Sequence, residues 1–238
     1  MKLALAILTY NRVFDARAQM KIVKKLWARE KRLRDIAIYH LYNGKKSWYP
    51  QKYLENCLIR TSNPGHYEGA NLLLNLAAKE ILKNEKIDYI LFTSADVWLV
   101  KPQEISKIIE KMEREHFSLA TSLWFLPKAY ATEFFIIKAN FAKKVFPFNI
   151  KEHREKHNLL NFLMNYFPLL PIVEMAFCER VKQENGRVML IPGRRFVGYF
   201  YNRYFSKKLG FLSHHNLNEK KRILKNHFPD IISIISHD

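Results

Sequence analysis

With 238 residues, 48% of them hydrophobic and 14% aromatic, the chain is long enough to bury one sizeable core, and a single domain is the expectation. Forty Lys and Arg against 22 Asp and Glu leave a net charge of +18, a field that concentrates anions such as nucleotides, phosphorylated substrates, anionic lipid or nucleic acid. The two cysteines, Cys57 and Cys178, stand alone, which excludes a paired zinc motif and a disulfide framework and fits a reducing, cytoplasmic compartment.

Residues 2–9 form an apolar run too short to span a bilayer and without a small-residue cleavage pattern, so they read as a buried first strand and not as a signal peptide. Nowhere do roughly 18 apolar residues follow one another, and any membrane contact is expected to be peripheral. Val13, Ala16, Met20, Val23 and Trp27 recur at three- and four-residue steps and predict a helix over 13–31. Strands follow at 35–42 and 57–61, a helix at 67–83, and an apolar strand from Asp88 that ends in a small-residue turn at Asp96. Pro102 suits a first helical turn and opens a helix to residue 115. Strands over 117–125 and 132–138, helices over 139–146, 155–166 and 172–184, a strand over 187–192 and a short helix over 217–226 complete the pattern. Strands alternating with helices imply a mixed, mostly parallel central sheet flanked by helices.

In an open α/β sheet, ligands are met where the strands end, which places Asp96 for chemistry; the alternative is that it only caps a turn. Neither a Walker-type phosphate loop nor a Rossmann glycine fingerprint follows the first strand. That strand ends instead in Thr9, Tyr10, Asn11 and Arg12, polar and aromatic groups able to hold a nucleoside by stacking and hydrogen bonds, or else an ordinary loop.

Four pieces fall in a familiar order: Ile7-Leu-Thr-Tyr-Asn-Arg12, Asn63-Pro-Gly65 with Asn71, Leu91-Phe-Thr-Ser-Ala-Asp96, and Thr132-Glu-Phe-Phe-Ile-Ile-Lys138. Together they resemble the nucleotide-sugar glycosyltransferases of GT-A type, over roughly the first 140 residues. The resemblance implies that Thr9, Tyr10, Asn11, Arg12, Asn63 and Asn71 surround the nucleotide. It also implies that Ser94, Ala95 and Asp96 occupy the place of an Asp-x-Asp motif, with serine standing where that motif has its first aspartate. Asp96 would then bind Mn²⁺ or Mg²⁺ together with the donor diphosphate, since a hard ion can complete its octahedron with phosphate and water. Metal independence, with Lys and Arg neutralising the leaving diphosphate, is the other possibility. His214, first of the pair after the apolar Gly210-Phe-Leu segment, is the candidate second metal ligand, and an inert surface histidine pair is the alternative.

Sugar transfer also needs a base for the acceptor hydroxyl. Glu174 lies among Ile172, Val173 and Met175, close behind Pro171 at the start of a helix whose dipole favours the ionised carboxylate. Glu174 is thus the candidate base, with Glu133 a further one, and a plain first-turn carboxylate is the competing reading. Residues 194–208 interleave Arg and Lys with Phe and Tyr, a pattern suited to an anionic membrane surface, to single-stranded nucleic acid, or to a core with solvated cations.

The expectation is a GT-A-like glycosyltransferase moving a sugar from a nucleoside diphosphate to a glycan or lipid-linked acceptor, divalent-metal-assisted, cytoplasmic and peripheral at the inner face of a membrane. Residues 1–140 would bind the donor and 141–238 the acceptor, and inversion is favoured over retention because a base candidate exists. Two rivals stand beside it: a basic nucleic-acid-binding protein, which lacks any recognisable binding motif here, and an inactive GT-A-like interaction module, which the missing first aspartate would explain.

Overall fold

The structure, a computed structural model, describes residues 1–33, 35–45, 57–59, 64–123, 129–156, 171–191, 211–212 and 217–227. Within them, a seven-stranded sheet is built from β1 (Leu3–Thr9), β2 (Ala37–Tyr42), β3 (Cys57–Ile59), β4 (Tyr89–Ser94), β6 (Leu119–Leu123), β7 (Tyr130–Lys138) and β8 (Val188–Leu190). Their order across the sheet is β3-β2-β1-β4-β7-β6-β8. Every neighbouring pair is parallel except those made by β7, which runs against both β4 and β6. The expected mixed, mostly parallel α/β sheet is therefore present, with its one reversed strand between β4 and β6.

The central strands are apolar without alternation because both faces are covered. In β1 every residue is buried except half-buried Leu8, as expected of a parallel strand with helices on either side. On one face, helices α1 (Val13–Leu26) and α3 (Pro102–Arg114) bring Ala16, Met20, Val23, Ile105, Ile109 and Met112 against Leu3, Leu5, Ile7 and Leu91. The other face carries α2 (His66–Ile81), α4 (Ala139–Val145) and α6 (Ile172–Gln183). Its centre is an aromatic stack in which Phe92 lies 4.5 Å from Phe135 and Phe177 lies 4.8 Å from Phe135. Between α4 and α6 comes α5 (Ile150–Lys156).

A second, two-stranded antiparallel sheet joins β5 (Trp98–Leu99) to β9 (Phe211–Leu212). Near it the last described helix, α7 (Leu217–His227), packs Leu224 into a small cluster with Ala18, Ile22 and Trp98. The C-terminal region is thus attached to the chain immediately after the Asp96 turn.

Several boundaries differ from the sequence expectation for identifiable reasons. Helix α1 ends at Leu26 and tightens into a 3-10 turn at Trp27–Arg29, where Trp27 turns inward and its indole N–H donates to the Leu99 carbonyl at 3.0 Å. Strand β4 stops at Ser94, because the amide of Val97 folds back onto the Ser94 carbonyl at 3.0 Å. Helix α5 begins at Ile150 and not at residue 155, since Asn149 Oδ1 accepts the Lys151 amide at 2.9 Å and starts it early. The remainder of the helix expected to residue 166 and the Arg194–Lys208 stretch lie outside the described residues. Among those described, no helix is long and apolar enough to cross a membrane.

Candidate functional site

The parallel registers align the carboxyl ends of three strands: Thr9 lies beside Tyr42 and Leu8 beside Ser94. Over these ends opens a cleft of about 470 Å³ lined by Thr9, Tyr10, Asn43, Ser94, the Gly65–Gly69–Leu73 face of α2, and Thr132 from β7. Two properties of the flanking chain shape it. Gly65, immediately before α2, has φ +127° and ψ 179°, a backbone conformation that disfavours any side chain. At Gly44 a Cβ would overlap the Tyr10 carbonyl oxygen and come within 2.6 Å of the Tyr42 hydroxyl, so only glycine lets the end of β2 pass so close to the Tyr10 loop.

Tyr10 is 44% exposed on the rim, the disposition a stacking platform needs. The Thr9 hydroxyl, by contrast, is turned away from solvent and hydrogen-bonded to His40 Nε2 at 2.9 Å, so Thr9 builds the wall of the cleft and does not offer its side chain to a ligand. Asn11 and Arg12 are exposed beyond Tyr10, with Arg12 3.8 Å from Asp15 at the start of α1. Asn43, which the sequence reading passed over, is buried. Its amide donates to the Gly69 carbonyl at 3.1 Å and its backbone N–H to the Thr9 carbonyl at 3.2 Å, tying β1, β2 and α2 together at the floor.

Burial pushes the His40 imidazole down to about pH 4 from its ordinary 6.5. Above pH 6.5 the ring is neutral in both the folded and the unfolded chain and titration contributes nothing to stability. As pH falls from 6.5 toward 4, the unfolded chain takes up a proton that the folded one does not. Stability is therefore lost at about 1.4 kcal/mol per pH unit, roughly 3 kcal/mol in all, and the loss levels off below pH 4. Urea titrations between pH 7 and pH 4 should show this slope in the wild-type protein and a flatter one in His40→Gln; equal slopes would remove the buried neutral histidine.

The turn after β4 is tightly specified. The Ala95 amide donates to the Leu8 carbonyl at 2.9 Å, the Ala95 side chain is buried in the core, and Asp96 is half-buried at the apex. Lys220 of α7 reaches this turn: its ammonium donates to the Asp96 carbonyl oxygen and to Asp15 Oδ1, both at 2.7 Å, and lies 4.3 Å over the Trp98 ring. Burial lowers the lysine's affinity for its proton, while the carboxylates of Asp15 and Asp96 oppose that effect.

Glu174 occupies the first turn of α6, half-buried, and accepts a hydrogen bond from the Thr132 hydroxyl at 2.9 Å. Thr132 itself lines the cleft, and Glu174 reaches it through that hydroxyl, neither Glu174 nor Asp96 being among the lining residues. Tyr67 of α2 is held above its ordinary pKa by burial first and then by the nearby negative charges of Glu174 and Glu68. Glu133 is half-buried and is not among the residues lining the cleft.

Asn71 lies elsewhere. Two residues along α2 from Gly69, it points to the other side of the helix, donates to the Phe148 carbonyl at 3.1 Å, and lines a second cleft of about 460 Å³ with Asn75, His153 and Glu179. Asn63 and His214 lie outside the described residues, and among those described no three His, Cys, Asp or Glu side chains gather as a metal-binding group. The Cys178 thiol is buried and burial pushes its pKa up, the opposite of an activated nucleophile.

No family model and no curated protein matches the sequence. Solved structures do match. A glycosyltransferase involved in glycosylating the major capsid of PBCV-1 superposes with a TM-score of 0.54 at 9% identity, over 93% of this chain and 100% of that one. The mannosyltransferase PcManGT from Pyrobaculum calidifontis, solved in complex with GDP-Man and Mn²⁺, superposes with a TM-score of 0.50 at 9% identity, over 85% of this chain and 59% of that one. Identities this low carry the likeness of fold alone, and the fold they share with this chain is GT-A-like.

Proposed function

We propose that this protein is a glycosyltransferase that takes its sugar from a nucleoside diphosphate, with the cleft over β1, β2 and β4 as the donor site. The observation that carries the reading is convergence: Tyr10, Asn43, the Gly65–Gly69 face of α2 and Ser94 line one cleft, and the Asp96 turn follows Ser94 directly. Tyr10 offers a face to the base, and Ser94, Asp96 and Arg12 are the groups proposed to meet the diphosphate.

With Asp96 as the carboxylate at the turn and no metal-binding group among the described residues, a divalent ion would be carried here largely by its substrate. Asp96 is the carboxylate the turn provides, and Mg²⁺ or Mn²⁺ would complete its shell with diphosphate oxygens and water, His214 being the proposed additional ligand. Bound there, the ion would neutralise charge developing on the leaving diphosphate. Glu174 would accept the proton of an acceptor hydroxyl of a glycan or lipid-linked sugar, which favours inversion. The net charge of +18 supports peripheral attachment to an anionic inner membrane face. A donor half at 1–140 and an acceptor half at 141–238 is the proposed division, with Lys220 crossing it to reach the donor turn.

Thermal shift with UDP, GDP, ADP and CDP, each with and without Mn²⁺, tests the donor site. A nucleotide present at a hundred times its Kd should stabilise the fold by about 2.7 kcal/mol, or roughly 5 to 10 °C for a chain of this length. If no diphosphate at millimolar concentration raises the melting temperature, the donor-site reading fails. Steep loss of binding to single-stranded DNA with salt, in the absence of a nucleotide shift, would favour the nucleic-acid alternative.

A further inference from the structure

We infer that Lys220 is a positioning residue for the donor site: helix α7, from the far end of the chain, sets the backbone of the turn that carries Asp96. The functional half of this inference rests on the donor-site reading above; the structural half does not.

Helix α7 reads as a solvated helix, and among the positions whose exposure is described, Asn218, Lys221, Arg222, Lys225 and Asn226 are exposed. Lys220 and Leu224, one turn apart on the same side, are the buried pair that docks it. Burying an ammonium to 6% side-chain exposure is unfavourable unless its hydrogens are taken up, and here they are: one by Asp15 Oδ1 and one by the Asp96 carbonyl, with the Trp98 ring beneath. From the sheet side the turn is held by the Ala95 amide on the Leu8 carbonyl and by the Thr93 hydroxyl, which donates to the Ser94 and Val97 carbonyls, and it closes on itself through the Val97 amide. Lys220 therefore fixes the peptide unit of Asp96 from outside, while Asp15 anchors the lysine to α1 and Arg12 lies 3.8 Å from that same carboxylate. The pairing of β9 with β5 holds the residues just beyond the turn, so the C-terminal region grips the segment from Asp96 to Leu99 at two points.

A mere stability pair and a positioning residue respond differently to a double substitution. Lys220→Met keeps the stem and removes every donor, but it also takes from the Asp15 carboxylate its 2.7 Å partner and leaves it the more distant Arg12 at 3.8 Å. Asp15→Asn/Lys220→Met removes that under-compensated charge while still leaving the Asp96 carbonyl without its ammonium partner. In the full-length double variant, hydrogen–deuterium exchange should rise in the peptide spanning Ser94 to Trp98 and stay unchanged in α3. Its affinity for UDP or GDP with Mn²⁺ should fall about 10- to 100-fold below wild type even where the melting temperature is recovered. Unchanged exchange at the turn, or wild-type nucleotide affinity in the double variant, overturns the inference. Should the wild-type protein bind neither nucleotide while the exchange difference is present, the donor-site reading is lost and the placement of the turn by Lys220 stands.

Discussion

Asp96→Ala should lower donor turnover about 100- to 1,000-fold and leave the fold in place. The magnitude is that of losing the carboxylate proposed to hold a divalent ion against the leaving diphosphate, since the anionic side chain could stabilise that charge only through a cation. The retained fold follows from how the turn is held. Lys220 contacts the Asp96 backbone carbonyl, which alanine also has, and the ammonium keeps Asp15 as its ion-pair partner. Asp96 is half-buried at a turn apex and its carboxylate also favours the charged form of the buried Lys220, so the change in stability should be about 1 kcal/mol, small beside that of a core substitution. Asp96→Asn separates charge from shape: if the carboxylate acts through its charge on a metal–diphosphate, asparagine is nearly as damaging as alanine. The measurement is nucleotide-sugar hydrolysis with Mn²⁺, beside a melting curve of each variant. Turnover within threefold of wild type in both variants would take Asp96 out of the chemistry.

That Asp96 was visible in the sequence at all reflects how strand ends are written. An unbroken apolar run buried on both faces can stop only where the backbone leaves the sheet, and the small residues Ser94 and Ala95 mark that point. Two helices of one face were legible as well, α1 from the spacing of Val13, Ala16, Met20 and Val23 and α3 from Pro102 at its first turn. What the local pattern does not contain is direction and distance. Strand β7 has the composition of a strand, yet its antiparallel run beside β4 depends on the path taken by the chain before it. The two-residue β5 and β9 are too short for any period, and their pairing joins positions more than a hundred residues apart.

The site shows the same division. Tyr10 and Ser94 sit at strand ends, where the sequence pattern points, and line the cleft, whereas Asn43 lines it without having been expected, although its place one residue after the strand β2 was a usable signal. Asn71 departs from what the resemblance implies because of its helix face: Gly65, Gly69 and Leu73 share the side facing the cleft, while Asn71 and Asn75 share another, where both donate to the Phe148 carbonyl. Lys220 stands in the run Glu219-Lys-Lys-Arg222, which composition assigns to solvent. Its burial could have been suspected only from its spacing to Leu224.

Glu174→Gln should slow sugar transfer about 100- to 10,000-fold, the range expected for removal of a general base, with donor affinity unchanged within about twofold. The substitution is conservative where it matters for the fold, because the Thr132 hydroxyl donates to Oε1 and a glutamine carbonyl accepts equally well. Helix α6 keeps its packing through Ile172, Val173, Ala176 and Phe177, all buried on the sheet side. Tyr67 supplies a readout independent of catalysis. Part of its raised pKa comes from the Glu174 charge, so in the variant the phenol should ionise at a lower pH, though still above its ordinary value because burial remains. A drop in transfer with intact donor binding and a lowered Tyr67 titration assigns the loss to the missing base. Equal loss of transfer and donor affinity would instead make Glu174 a wall residue that acts by holding Thr132 in the cleft.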